Sequence, residues 1–369
     1  MDYRSLGHSG LFAITAYAVA LMVDAKWDHT TAAIVAVAAT LLLASCGSSE
    51  QPQNLTGAGA TFPYPIYSKW FSEYQKAHPL VQINYQSQGS GAGIRQVTEG
   101  TVDFGASDQP MTDEQLKAFE TARKSPVLHF PTVMGAVVPT YNIPGVTAEL
   151  KFTPAALAGI FLGKVKKWND PALASANPDV KLPGDDIVVV HRSDGSGTSF
   201  VFTDYLTKVS PDWASGPGKG SAVNWPVGLG GKGNEGVVGL LKQTPNAIAY
   251  TEMIYAVQNN LPMGQVQNAA GKFIKASPES VTAAAAELQM PDDFRVSITN
   301  ASGETAYPIS SLTWLLIPQT IQDAGKKKVI TEFLQWMLTT GQGMGPALQY
   351  APLPASVIAK EQAAIAQIK

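Results

Sequence analysis

The chain has 369 residues, 45% of them hydrophobic and 15% charged, with a formal net charge of −3 and a pI near 6.0. That length supports two domains of ordinary size with large cores, and 33 glycines with 25 prolines fall short of the share that marks low-complexity disorder. Near-neutral charge and the lack of any run of five basic residues argue against nucleic acid as the main partner, because a phosphate backbone needs a concentrated basic footprint. Anions met one at a time, by local groups, stay open.

The N-terminal region carries two apolar stretches, LFAITAYAVALMV (11–23) and AAIVAVAATLLLAS (32–45). The second is rich in small residues, has the length of a signal-peptide core and is short for a membrane span. It runs into Leu43-Ala44-Ser45-Cys46, which reads as a lipobox. In a bacterial lipoprotein the signal is cut before such a cysteine, which is acylated and becomes the new N-terminus. Residues 1–45 are then signal and hydrophobic extension, and 46–53 a lipidated polar tether. The competing reading is a buried cysteine closing a hydrophobic helix. DAKWDHTT (24–31) between the two stretches departs from a standard signal, whose first region is basic, so either translation starts at Met22 or the chain has an extension. Cys46 is the only cysteine, which excludes an intrachain disulfide and a cysteine-based zinc site.

Beyond residue 54, short β-type runs alternate with amphipathic helical runs, the signature of α/β architecture. LTGAGATFP (55–63) leads into a predicted helix whose Ile66, Tyr67, Trp70, Phe71 and Tyr74 share one face. Pro63 and Pro65 suit its first turn, where a missing N–H costs nothing. Val81, Ile83 and Tyr85 alternate as a half-buried strand, and GSGAG (89–93) opens a helical IRQVTEG. TVDFGASD (101–108) reads as a strand ending in a turn, and Thr112 with Gln115 forms a capping box before the next helix.

The clearest junction is DIVVVHRSDGSGTSFVFTDYL (186–206): a buried-strand run, Ile187 to Val190, then a loop of Gly, Ser and Asp that opens a helix carrying Phe200, Phe202 and Tyr205. In α/β sheets ligands gather at the C-terminal ends of strands, and the free N–H groups and dipole of a helix start favour an anion. Ser196, Gly197 and Thr198 offer backbone donors and hydroxyls, and Arg192 supplies a forked cation suited to a tetrahedral oxyanion. Taken alone, a glycine-rich turn is usually only a turn, and an Arg beside an Asp is usually a surface ion pair. Three further segments, 57–62, 89–93 and 105–108, repeat the same design of small residues with Ser, Thr or Asp at a strand end. A phosphate-sized ion surrounded by helix N-termini explains all four.

TGAGATFP (56–63), TVDFGASD (101–108), FPTV (130–133), LGKVKKW (162–168), DGSGTSFVFTDYL (194–206), WPVGLGGKGNEG (225–236) and YAPLP (350–354) give the chain its resemblance to a known family. It resembles the phosphate-binding proteins of the bacterial high-affinity phosphate ABC transporter, the PstS type, over roughly residues 54–360. The resemblance implies an α/β class II periplasmic binding protein: two lobes, two crossover segments and a ligand cleft that closes by hinge motion. Lobe one would comprise 54–133 plus 306–369 and lobe two 134–305, with crossings near Val133–Val138 and Tyr307–Ser311. It implies phosphate ligands at Thr61, the Phe62 backbone N–H, Ser90, Asp108, Arg192, Ser196, Gly197 and Thr198, with Asp194 orienting Arg192. Where the family commonly has a second Arg, this chain has His191. It further implies no catalysis and no cofactor, a permease and ATPase complex as partner, a monomer, and a place in the periplasm or cell envelope, held to the membrane through Cys46.

Rival signals are weaker. GLGGKGN (228–234) lacks the spacing and the Ser/Thr of a nucleotide P-loop and reads as a surface turn. The five histidines show no HExxH pair, so a zinc hydrolase is disfavoured. SDGSG lacks the G-x-S-x-G elbow of a serine nucleophile, and His129 and His191 read as structural. Lys326, Lys327 and Lys328 read as a solvated cluster beside the core face of Val329, Phe333, Trp336 and Met337. The alternatives are a phosphate-ester hydrolase using Ser196 or Thr198, a sulfate, molybdate or phosphonate receptor, and a lipid-anchored interaction protein that kept the fold but lost transport.

Overall fold

A computed structural model describes residues 51–369; both apolar stretches, the lipobox and Cys46 lie outside the described residues. Eight strands form one sheet: β1 (Gln53–Gly59), β2 (Val81–Ser87), β3 (Phe104–Ser107), β4 (Val127–Asn142), β6 (Val188–Arg192), β7 (Leu229–Gly231), β8 (Ala247–Glu252) and β11 (Ser310–Pro318). Their order is β2-β1-β3-β11-β4-β8-β6-β7, and β5 (Lys151–Phe152), β9 (Gln265–Gln267) and β10 (Phe273–Ile274) make a small separate sheet. The helices are α1 (Tyr64–Ala77), α2 (Ser90–Glu99), α3 (Asp113–Arg123), α4 (Pro154–Phe161), α5 (Pro171–Ala174), α6 (Gly197–Val209), α7 (Pro211–Ser215), α8 (Gly233–Gln243), α9 (Met253–Gln258), α10 (Pro278–Ala284), α11 (Ala324–Thr339) and α12 (Ala355–Ile365).

Local sequence explains most of these elements. α1 buries Ile66, Tyr67, Trp70, Phe71 and Tyr74, the face that the 3.6-residue period predicts. α3 begins at a complete capping box, Thr112 accepting from the Gln115 N–H while the Gln115 side chain accepts from the Thr112 N–H. GSGAG is less a loop than a helix start: α2 already runs from Ser90, after Gly89 at φ 94°. There an added Cβ would strike the Asp194 carboxylate, so only glycine fits.

The longest strand organises the molecule. The first part of β4, up to Ala136, pairs with β11, whereas Val137–Asn142 pairs with β8. β4 therefore carries the chain from one half-sheet, with β2, β1, β3 and β11, into another, with β8, β6 and β7. Each half has its own aromatic core. Tyr67, Phe71, Tyr74, Tyr85, Phe104 and Phe333 interlock in the first; Phe161, Phe202, Trp213, Trp225 and Tyr250 do so in the second. Where the chain returns towards β11 the two passages touch: the Val137 N–H donates to the Ile309 carbonyl at 2.9 Å and the Tyr307 hydroxyl to the Val137 carbonyl at 3.0 Å. This is an α/β architecture of two lobes joined by two crossing segments.

Candidate functional site

β1 runs parallel to β2 and β3, and β6 parallel to β7 and β8, so the loops at the C-terminal ends of β1, β3 and β6 gather, and they gather against each other. The Gly91 N–H at the start of α2 donates to the Gly195 carbonyl at 2.8 Å, joining the two halves. Gly197, the first residue of α6, sits so close to the first half that an added Cβ would lie 2.6 Å from Asp108 Cβ and collide with the Ser90 hydroxyl. Any side chain at 197 would wedge the loops apart.

All nine cleft residues expected from the sequence come together here. Thr61, Phe62, Ser90, Asp108, Arg192, Ser196 and Thr198 are each no more than 3% exposed, and Gly197 and Asp194 lie among them. Arg192 is gripped from one side: Nε donates to Asp194 Oδ1 at 2.8 Å and Nη2 to Oδ2 at 2.6 Å, a bidentate pair with the Arg192 side chain 1% exposed. Nη1 adds a bond to Thr198 Oγ1 at 3.3 Å. Of the five guanidinium N–H groups these contacts use three and leave two available as donors. This is no surface ion pair. Burial pushes Asp194 up, but the Arg192 hydrogen bonds and charge, with the Gly233 N–H at 3.1 Å, outweigh it and hold the carboxyl below its usual range.

Asp108 is the opposite case. Thr313 donates to Oδ1 at 2.8 Å, and the Asp108 N–H donates to Ser90 Oγ at 3.1 Å. Among the described residues no cation is bonded to it. Burial dominates, and although the hydrogen bonds and the Arg192 charge pull the other way, the pKa is pushed up to about 7. A carboxyl poised there can hold a proton or accept one.

Three tyrosines from distant segments fix the backbone between β1 and α1. Tyr85 donates to the Ala60 carbonyl at 2.8 Å, Tyr255 to that of Thr61 at 2.6 Å and Tyr350 to that of Phe62 at 2.6 Å. In a trans peptide the N–H points away from its carbonyl, so anchoring the Thr61 and Ala60 oxygens turns the Phe62 and Thr61 N–H groups the other way. On α6, Ser196 is the N-cap, its Oγ accepting from the Ser199 N–H at 3.0 Å, which leaves the hydroxyl proton free to donate.

The sequence reading of GLGGKGN as a surface turn needs correction. Gly228, Leu229 and Gly230 are exposed, but Gly231, Gly233 and Asn234 are buried, and the segment is strand β7 leading into the start of α8. Asn234 joins the site, donating from Nδ2 to Thr61 Oγ1 at 2.8 Å and to Thr198 Oγ1 at 3.2 Å. Only its position after a glycine-rich strand end hinted at this. Thr313 and Tyr255 gave no sequence signal, while Tyr85 reads from the sequence only as a strand residue and Tyr350 only as part of YAPLP.

His129 and His191 are occupied elsewhere. His129 accepts the Met111 N–H at 3.1 Å and burial lowers its pKa to about 4; His191 stacks on Trp225 with ring centres 4.8 Å apart and bonds the Arg192 carbonyl through Nδ1. Among the described residues no group of His, Cys, Asp or Glu is placed to hold a metal ion.

Comparison with known proteins gives a consistent result. A model of the PBP superfamily domain matches residues 46–340. Proteins named phosphate-binding protein PstS match at 44% identity over 326 residues in Pasteurella multocida, spanning 88% of this chain and 93% of that protein, and at 40% over 331 residues in Methanocaldococcus jannaschii, spanning 81% and 85%. Among solved structures, a high-affinity periplasmic phosphate-binding protein bound with phosphate superposes with a TM-score of 0.69 at 20% identity, over 84% of this chain and 93% of that one. A phosphate-binding protein from Stenotrophomonas maltophilia gives 0.65 at 18%, with the same coverage. At such identities these two matches establish the fold.

Proposed function

Because the chain belongs to the PstS family of phosphate-binding proteins, within the PBP superfamily, we propose that it captures inorganic phosphate in the cleft between its two half-sheets and delivers it to the permease of an ABC transporter. It is a periplasmic binding protein, not an enzyme. Thr61, the Phe62 N–H, Ser90, Asp108, Arg192, Ser196, Gly197 and Thr198 hold the ion, and Asp194 orients Arg192. The observation that carries this reading is a buried cation with two N–H groups unused by the contacts to Asp194 and Thr198, in one cleft with a desolvated carboxyl.

Hydrogen phosphate carries a proton and can donate to Asp108 when that carboxyl is ionised, whereas fully ionised sulfate can only accept and would then face a like charge. Every other group in the cleft serves either anion, so the choice rests on Asp108. A hydrolase reading lacks support, since neither His129 nor His191 bonds to Ser196 or Thr198 among the described contacts.

The lobes are taken as 54–133 plus 306–369 and 134–305, a division supported by the switch of β4 from β11 to β8 between Ala136 and Val137. The tether at Cys46 anchors a monomer to the membrane, and closure of the lobes creates the shape the permease reads. Calorimetric titration of the purified, phosphate-stripped protein with phosphate and then sulfate tests the proposal. One-to-one phosphate binding with no sulfate response is the expected result; heat from sulfate alone, or from neither, would sink it.

A further inference from the structure

We propose that Asn234 is a positioning residue that makes two hydroxyls, one on each side of the cleft, committed donors toward the bound anion. The proposal rests on the cleft being the phosphate site. Asn234 is the second residue of α8 and is fully buried. Its Oδ1 accepts from the Glu252 N–H at 3.3 Å and from the Thr251 hydroxyl at 3.1 Å. A backbone N–H can only donate, so the Glu252 contact fixes which end of the amide is oxygen. The NH2 end therefore faces Thr61 Oγ1 at 2.8 Å and Thr198 Oγ1 at 3.2 Å.

An amide NH2 has hydrogens to give and accepts nothing, so both hydroxyl oxygens must accept from it. Each also accepts a second hydrogen: Thr61 from the Asn234 backbone N–H at 3.3 Å, Thr198 from Arg192 Nη1 at 3.3 Å. A hydroxyl has two lone pairs and one proton. With both lone pairs filled, the proton of each is left to donate, and a ligand that presents only acceptors at those points is the one that fits. Thr61 and Asn234 stand on opposite half-sheets, 173 residues apart in the chain. Thr61 thus becomes a committed donor only when the two halves meet, which ties the polarity of the cleft to its closure.

A double-mutant cycle on the full chain, read as the phosphate dissociation constant, tests this. Asn234→Ala and Thr61→Val are each expected to weaken phosphate binding about tenfold. If Asn234 works through the Thr61 hydroxyl, the double variant falls short of the product of the two losses by about fivefold or more. A residue that only supports the fold, or that touches the ion independently, gives the full product, and that result overturns the inference. Should Asn234→Ala fail to fold, Asn234→Ser, which lacks the paired N–H donors, runs the same cycle with the same two outcomes. Failure of the unaltered protein to bind phosphate would overturn the phosphate reading itself, whereas binding with a multiplicative cycle overturns only the role given to Asn234.

Discussion

Asp108 and Asp194 end equivalent strand-to-loop turns on opposite sides of one cleft, yet their surroundings drive them apart. Asp194 spends both oxygens on Arg192 and is held ionised. Asp108 has hydroxyl partners and no bonded cation, and burial raises it to about 7. The second-half wall is a neutralised, pre-oriented ion pair that presents spare N–H donors. The first-half wall keeps a carboxyl whose proton is negotiable. The same side chain serves as scaffold in one place and as selector in the other, and what separates them is whether a cation lies within bonding distance.

The largest effect should come from breaking the ion-pair wall. Arg192→Ala removes two ligand-facing donors and strands Asp194 in a buried site, so phosphate affinity should fall by at least about 2 kcal/mol, roughly thirtyfold. Calorimetry showing unchanged affinity would take Arg192 out of the site. Asp108→Asn keeps the shape of the other wall but loses the anionic acceptor. Phosphate binding should weaken by about 1 to 1.5 kcal/mol, while the ratio of sulfate to phosphate dissociation constants shrinks by a larger factor. Sulfate rejection that survives intact would deny Asp108 its selecting role.

The contrast can also be read without ligand. A carboxyl at about 7 in the folded protein and near its ordinary 3.8 unfolded costs the fold nothing below pH 3.8. The cost then grows by up to about 1.4 kcal/mol per pH unit until about pH 7, and is constant above. Opening of the cleft would relieve part of it, so the change over the whole range is smaller than this slope taken over the full interval. His129, lowered to about 4, acts in the opposite direction, costing stability as pH falls below its ordinary 6.5. The difference in melting temperature between Asp108→Asn and the unaltered protein isolates the carboxyl. It should widen in favour of the variant from about pH 4 to 7; a difference independent of pH would show that Asp108 is not desolvated in the folded protein.

The smallest effect lies outside the cleft. Lys326, from the triple-lysine run, is not simply solvated: it pairs with Asp103 at 2.8 Å and is 34% exposed. Lys326→Ala should cost under about 1 kcal/mol of stability by thermal denaturation and leave phosphate affinity unchanged. A clear loss of binding there would mean that the two walls are not the whole of the site.

Much of this molecule is determined by short stretches of chain. Apolar period places α1 and its buried face, Thr112 and Gln115 start α3, the run before Arg192 makes β6, and small residues with Ser, Thr or Asp at strand ends mark where an anion could be met. These are local effects, set by steric freedom, capping and period within a few residues. Tertiary structure decided the rest. Tyr85, Tyr255 and Tyr350 hold three successive carbonyls from separations of 25, 194 and 288 residues, Thr313 reaches Asp108 from 205 residues away, and Asn234 reaches Thr61 from 173. No spacing in the sequence encodes such meetings. Hydrogen bonds and desolvation depend on which groups share a volume from which water is excluded, and only the closed packing of the two half-sheets defines that volume.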